Sequence, residues 1–130
     1  MAITILLCST GVLPIYLGIA LVMGENIGTT ATANLAALGA NAQARRAALA
    51  HLVFNVFGVI WVLCLFYPFV DFVCSIVGYD PDGGMSAAQK TKLLPIVLAM
   101  FHTCFNVCNT GVSDLVYPTV GKSCLQTYQA

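Results

Sequence analysis

The chain has 130 residues, of which 59% are hydrophobic and only 8% are charged, and its formal net charge is zero. A soluble domain carries roughly 25% charged residues to cover its surface, so this composition predicts an integral membrane protein. Zero net charge predicts no nucleic-acid partner. The sequence also shows no nucleophile–base pair or metal-ligand cluster that would indicate an enzyme.

Charged residues are absent from four long runs of the sequence, residues 1–24, 26–44, 47–70 and 93–113. Since about 20 apolar residues suffice for a helix to cross a bilayer, these runs predict an all-α fold embedded in the lipid bilayer of a cell membrane, the inner one if the source is bacterial. The predicted layout is a hairpin arm plus a re-entrant or broken helix in 1–39, a transmembrane helix in 44–70, a loop in 71–92, a second transmembrane helix in 93–117 and a tail in 118–130.

Two signals divide the first run. Gly11–Pro14 (GVLP) predicts a turn, because glycine and proline both oppose a continuing helix. Gly24–Thr30 (GENIGTT) predicts a helix break, because glycines flank a polar step inside an apolar stretch. A break at membrane depth persists where it lines a cavity or binds a ligand, so this segment is the main functional candidate.

The predicted break suits a pair of small ions. A half-helix that ends near Met23–Glu25 would direct unpaired carbonyls at a cation, and one that starts at Thr29 or Thr30 would direct free amides at an anion. Alternatively, the glycines and threonines pack an ordinary membrane helix closely against a neighbour. The predicted substrate- and ion-binding residues are Glu25, Asn26, Gly28, Thr29, Thr30 and Thr32.

Glu25 favours the ion-site interpretation. A carboxylate at membrane depth costs roughly 2.5 kcal/mol or more on insertion scales unless it is paired or hydrated. Such a residue indicates an ion or proton pathway. The alternatives are a position near the membrane interface and an ion pair with an arginine such as Arg45.

A short repeat lies in the later runs, where residues 51–56 read HLVFNV and residues 102–107 read HTCFNV. In each copy a His and an Asn four residues apart share one helix face. Polar groups inside lipid face protein or water, so these pairs are expected either to form interhelical hydrogen bonds or to bind a ligand directly. The third alternative is that the repeat is a coincidence. Zinc is not expected, because no Cys or Glu completes either pair at ligand spacing.

GENIGTTATANLAALG, followed by ARRAALAHLVFN, resembles the bacterial sodium-dependent phosphate cotransporters, relatives of the animal type II sodium–phosphate cotransporters. That family carries a GANIGTT-like motif in each of two inverted repeats, and the resemblance runs from about Ser9 to Asn109. It implies symport of inorganic phosphate with sodium, which is the coupling ion, and no cofactor or resident metal. By this resemblance Asn26, Thr29 and Thr30 lie near the substrate and ion sites. The polar positions predicted to support the site are Ser9, Thr10, Asn34, His51, Asn55, His102 and Asn106.

Three departures from the family pattern predict that the sequence is a piece of a transporter. A QSSS stretch expected upstream of Cys8–Thr10 is absent, half of the inverted repeat is missing, and Glu25 stands where the family has a small residue. The expected function is therefore part of a sodium-coupled phosphate symporter, completed by the missing remainder or by a second copy. The alternative is a small self-associating helical membrane protein that uses GENIGTT for packing and does not transport.

Overall fold

The computed structural model describes the backbone of residues 1–129 and the side chains of residues 1–115. No strand occurs within these residues, so the prediction of an all-α protein is confirmed. The helices are α1 (Ala2–Ser9), α2 (Ile15–Ala36), α3 (Ala42–Cys64), α4 (Phe66–Val77) and α5 (Ala87–Gln129), with a 3-10 turn at Ala37–Gly39 between α2 and α3.

Among the described residues, two helices are long and apolar enough to cross a membrane, namely α3 and the Ala87–Leu115 part of α5. Much of the α3 surface is exposed, including the large apolar side chains of Val53, Phe57 and Ile60. Exposed apolar surface along a helix of this length suits lipid or a further protein segment better than water.

One face of α5 forms the centre of the hydrophobic core. Its buried residues recur every three or four positions, which places them on the same side of the helix. The rings of Phe101 and Phe69 meet edge to face with centroids 5.4 Å apart, which joins α5 to α4. The α5 residues of the core are Leu94, Val97, Leu98, Phe101 and Phe105, and they pack with Cys8 of α1, Ile15, Ile19, Val22 and Met23 of α2, Val62 of α3, and Val70, Val73 and Cys74 of α4.

The turn predicted at GVLP separates α1 from α2. The Thr10 hydroxyl donates to Leu6 O at 3.0 Å at the end of α1. Gly11 follows with a φ of +76°, in the left-handed region that favours glycine. The two helices then approach closely, because a Cβ placed on Gly18 would collide with Cys8 Sγ.

The prediction of one helix over 44–70 is wrong, because the chain forms α3 and α4 with a break between them. Leu65 at the break has φ −114° and ψ 29°, outside the helical region. Pro68 explains the break: it has no N–H to donate to Cys64 O, and its ring would collide with that carbonyl.

The loop predicted over 71–92 is shorter in the structure, where it occupies only residues 78–86. Gly78 ends α4 with a φ of +77°. Ser86 begins α5 through a capping box, in which Gln89 N donates to Ser86 Oγ at 3.3 Å and Ser86 N donates to Gln89 Oε1 at 3.2 Å. The side chains of the predicted tail, 118–130, lie outside the described residues.

Candidate functional site

The GENIGTT segment lies inside α2, and the prediction of a helix break there is wrong, since α2 is continuous from Ile15 to Ala36. The threonine hydroxyls donate to carbonyls three or four residues earlier, with Thr29 Oγ1 2.8 Å from Glu25 O and Thr30 Oγ1 2.8 Å from Ile27 O. The polar side chains are satisfied by the helix itself, so they do not compete with it. The half-helix ends expected to hold a cation and an anion are therefore absent from this segment.

The Glu25 carboxylate is held by α1. Thr4 Oγ1 donates to Glu25 Oε1 at 2.5 Å. The Met1 ammonium forms an ion pair with Oε2, so the arginine partner suggested from the sequence, Arg45, does not take that place. The Glu25 side chain is still 39% exposed, so these contacts do not bury it.

Asn26 joins α2 to α5 through His102. The two side chains meet with Nε2 of His102 3.1 Å from Oδ1 of Asn26. Because an amide oxygen only accepts, His102 donates the hydrogen bond from Nε2. The amide nitrogen of Asn26 is buried and has no hydrogen-bond partner within the described residues. Turning the amide over would exchange the two atoms and still leave one buried polar atom without a partner.

Five polar residues line one continuous strip, which we name the polar seam: Glu25, Asn26, Thr29, Thr32 and His102. Glu25, Thr29 and Thr32 follow each other at four- and three-residue spacing, so they share one face of α2. Gly24 and Gly28 lie beside them on the exposed side of the helix, where an added Cβ would meet nothing within 4 Å. The seam is therefore closed by α1 and α5 on one side and open on the other.

Other predicted site residues have local or structural hydrogen bonds. Thr30 is buried and its hydroxyl is bonded within α2. The Asn34 amide donates at 2.8 Å both to Thr30 O and to Ala48 O, and so ties the end of α2 to α3. Ser9 and Thr10 end α1, outside the seam.

The His–Asn repeat has a common local geometry. In both copies the Asn amide donates to the backbone carbonyl of the His, at 3.0 Å from Asn55 to His51 and at 2.8 Å from Asn106 to His102. His51 is exposed on α3, whereas His102 reaches Asn26 across the α2–α5 boundary. Of the two histidines, His102 is therefore the one that belongs to the seam.

Asn109, which joins α3 to α5, is not among the site residues predicted from the sequence. The Asn109 side chain is fully buried. Its amide donates to Phe54 O at 3.1 Å, and its Oδ1 accepts from Trp61 Nε1 at 3.3 Å. A Cβ placed on Gly58 would lie 2.5 Å from Asn109 Nδ2, so glycine is required for this contact. The sequence signal was a polar residue inside an uncharged run, but Gly58 has no side chain to identify it as the partner.

The fold and the seam together define a class: an all-helical protein with two helices of membrane-crossing length and a polar strip on its α2–α5 boundary. The chain is similar to an uncharacterized protein, YqeW, of Bacillus subtilis (strain 168), with 34% identity over 90 residues. That match covers 69% of this chain and 28% of YqeW, so the chain spans little more than a quarter of this relative. No family model matches the sequence, and no solved structure matches it.

Proposed function

We propose that this chain is part of a sodium-coupled phosphate symporter of a cell membrane, and that the polar seam contributes to its ion and substrate pathway. The observation that carries the proposal is the unpartnered amide nitrogen of Asn26, in the segment that resembles the phosphate cotransporters. A buried amide without a partner costs about 1–3 kcal/mol. A phosphate oxygen that accepts a hydrogen bond from Asn26 would recover that free energy.

The seam also offers oxygen atoms for sodium. The hydroxyl protons of Thr29 and Thr32 are donated to α2 carbonyls, so the hydroxyl oxygens keep lone pairs for a cation. The Glu25 carboxylate lies on the same face and adds a negative charge. Hard cations prefer oxygen ligands of these kinds. The proposed sodium ligands are therefore side-chain oxygens of a continuous helix, not the backbone groups at the ends of two half-helices.

The seam provides one side of such a site. The open space beside Gly24 and Gly28 leaves room for another helix to approach and complete the coordination of both ions. In the proposed symporter that surface comes from the second inverted repeat, or from a second copy of this chain.

Vesicles containing the purified chain test the proposal through binding and uptake of labelled phosphate with and without sodium. We expect a sodium-dependent signal that the double variant Thr29→Val, Thr32→Val loses, because valine keeps the side-chain shape and removes both oxygens. The matched control is Thr103→Val, Thr110→Val on α5, whose exposed hydroxyls also donate to carbonyls of their own helix. Equal loss in both double variants would contradict the role of the seam. Absence of any phosphate signal from inserted, helical protein would exclude a carrier made of this chain alone or of two copies of it.

A second candidate function is self-association without transport, and the open glycine surface favours it. Ala20, Gly24, Gly28 and Thr32 recur every four residues along α2, and all of them are exposed. Small residues at this spacing allow two membrane helices to approach closely. Because α2 is continuous through GENIGTT, this surface is not interrupted.

Crosslinking in vesicles, combined with the phosphate measurement above, separates the two candidates, since self-association alone predicts a dimer without sodium-dependent phosphate binding. Self-association predicts a dimer that Gly24→Leu, Gly28→Leu abolishes, since leucine fills the surface that a partner helix would contact. Gly111→Leu on α5 is the control, because that glycine is also exposed with nothing within 4 Å of an added Cβ. A dimer that survives the Gly24, Gly28 double variant would exclude this surface as the interface.

A further inference from the structure

A cavity of about 450 Å³ lies at the corner where α2 turns into α3. Its walls are mostly apolar, and its polar groups come from an amide and two guanidinium groups. The large leucines in the wall are exposed, with Leu35 at 68% and Leu38 at 66%, so the cavity opens at the protein surface. The lining residues are Asn34, Leu35, Ala37, Leu38, Ala42, Arg45, Arg46 and Leu49.

The corner that forms this cavity is tied by hydrogen bonds on both sides. Asn34 bridges Thr30 O of α2 and Ala48 O of α3. Asn41 caps α3, where its Oδ1 accepts from Ala44 N at 2.9 Å. These bonds fix the two helices at the turn and hold the cavity walls apart without a ligand.

The charged residues that line the cavity are both arginines. Arg45 and Arg46 are adjacent in α3, and no Asp or Glu occurs anywhere from residue 26 to residue 70. The first turn of α3 contains no acidic residue either. The guanidinium groups lie near the end of a helix that is long and apolar enough to cross a membrane, where lipid phosphates are concentrated.

We propose that this cavity binds an anionic phospholipid, independently of the transport proposal. The lipid phosphate is bound by Arg45 and Arg46, since guanidinium groups match the geometry of phosphate oxygens. One acyl chain lies along the leucines of the wall. A free phosphate ion would use the guanidinium groups and leave the apolar wall exposed to water, so the mixed lining favours the lipid. The volume lies within the range of about 300–1,000 Å³ that is common for small-molecule sites.

The chain contains a matched control for this proposal. Lys90 and Lys92 form a second pair of cations close to the start of a membrane-length helix, α5. The leucine-lined cavity, however, lies at the arginine pair, and neither lysine is among its lining residues. General attraction to an anionic membrane surface would involve both cation pairs, whereas a lipid site at the corner depends on the arginines alone.

The experiment measures binding of a spin-labelled phosphatidylglycerol to the chain in phosphatidylcholine vesicles. We expect saturable binding that Arg45→Gln, Arg46→Gln weakens by about 25-fold, because each basic group near anionic lipid contributes on the order of fivefold. Leu35→Ser, Leu38→Ser should weaken it as well, and Lys90→Gln, Lys92→Gln should leave the saturable component intact. Far-ultraviolet circular dichroism confirms that each variant is helical.

Three results would overturn the proposal. Binding that is not saturable, or that falls equally in the arginine and lysine variants, would indicate surface attraction only. Displacement of the labelled lipid by inorganic phosphate, with no effect of the leucine changes, would show that the cavity binds the free ion instead.

Discussion

Two regions of this chain combine glycine with asparagine, but they differ in the space at the glycine and in the hydrogen bonding of the asparagine amide. At Gly58 the side chain of Asn109 fills all the available space, and both ends of its amide are hydrogen-bonded to α3. At Gly24 and Gly28 the space is open, and Asn26, on nearly the opposite face of α2, has a buried amide nitrogen without a partner within the described residues. A closed and satisfied contact stabilises the fold, whereas a buried amide without a partner requires an explanation of its own, and ligand binding is the one proposed above.

The largest expected effect is that of Gly58→Leu. The new side chain would displace Asn109, separate α3 from α5 and break both hydrogen bonds, which we expect to lower the free energy of unfolding by about 3 kcal/mol. Denaturation in detergent, followed by helicity, measures this change. Gly111→Leu is the control and should have little effect. A Gly58→Leu protein as stable as the wild type would show that α3 and α5 do not meet at this glycine.

The two asparagines can be compared directly by replacing each with leucine. Asn109→Leu leaves Phe54 O and Trp61 Nε1 without their partner, so we expect a loss of about 2 kcal/mol in unfolding free energy. Asn26→Leu removes one hydrogen bond, the one from His102, and an amide nitrogen that is already unpartnered, so we expect a smaller loss. The same denaturation measurement checks both. Equal losses would remove the distinction between the structural and the functional asparagine.

The sequence predicts the coarse fold well, because uncharged runs of bilayer length have few structural solutions other than helices. The predictions that are wrong involve two kinds of residue, a proline and the polar residues of one helix. Pro68 divides the apolar run over 44–70 into two helices, whereas the length of the run alone suggests a single one. The polar residues of GENIGTT suggest a break, but their hydroxyls bond to the helix that they would otherwise interrupt.

The sequence predicted the α2 residues of the candidate site and His102 as a supporting position, but it did not predict which residues meet, for a physical reason. Glu25, Asn26 and Thr29 are close in sequence, so a motif can identify them together. Their partners Thr4 and His102 come from α1 and α5, and only the packing of the helices brings them to α2. Hydrogen bonds between distant segments leave no spacing pattern from which a single sequence could identify them.

Thr4→Val tests how much the hydrogen bond between α1 and Glu25 stabilises the protein. The change removes the hydroxyl that donates to Glu25 and keeps the shape of the side chain, so we expect a loss of about 1 kcal/mol in unfolding free energy. Thr91→Val serves as the control, because that hydroxyl is exposed and donates only to Ala87 O in its own helix. If both variants lose the same unfolding free energy, the Thr4–Glu25 hydrogen bond stabilises the protein no more than a hydrogen bond within one helix does.

The smallest expected effect, and one of opposite sign, is that of Gly24→Ala. Alanine is favoured over glycine in a helix interior by about 0.5–1 kcal/mol, and nothing lies within 4 Å of the added Cβ. The isolated chain should therefore become slightly more stable, which the same denaturation measurement would show. If the open surface of α2 instead contacts a partner helix in the membrane, the methyl group would hold that helix away. A variant that is more stable in detergent but associates or transports less in vesicles would show that the glycine serves an interaction and not the fold.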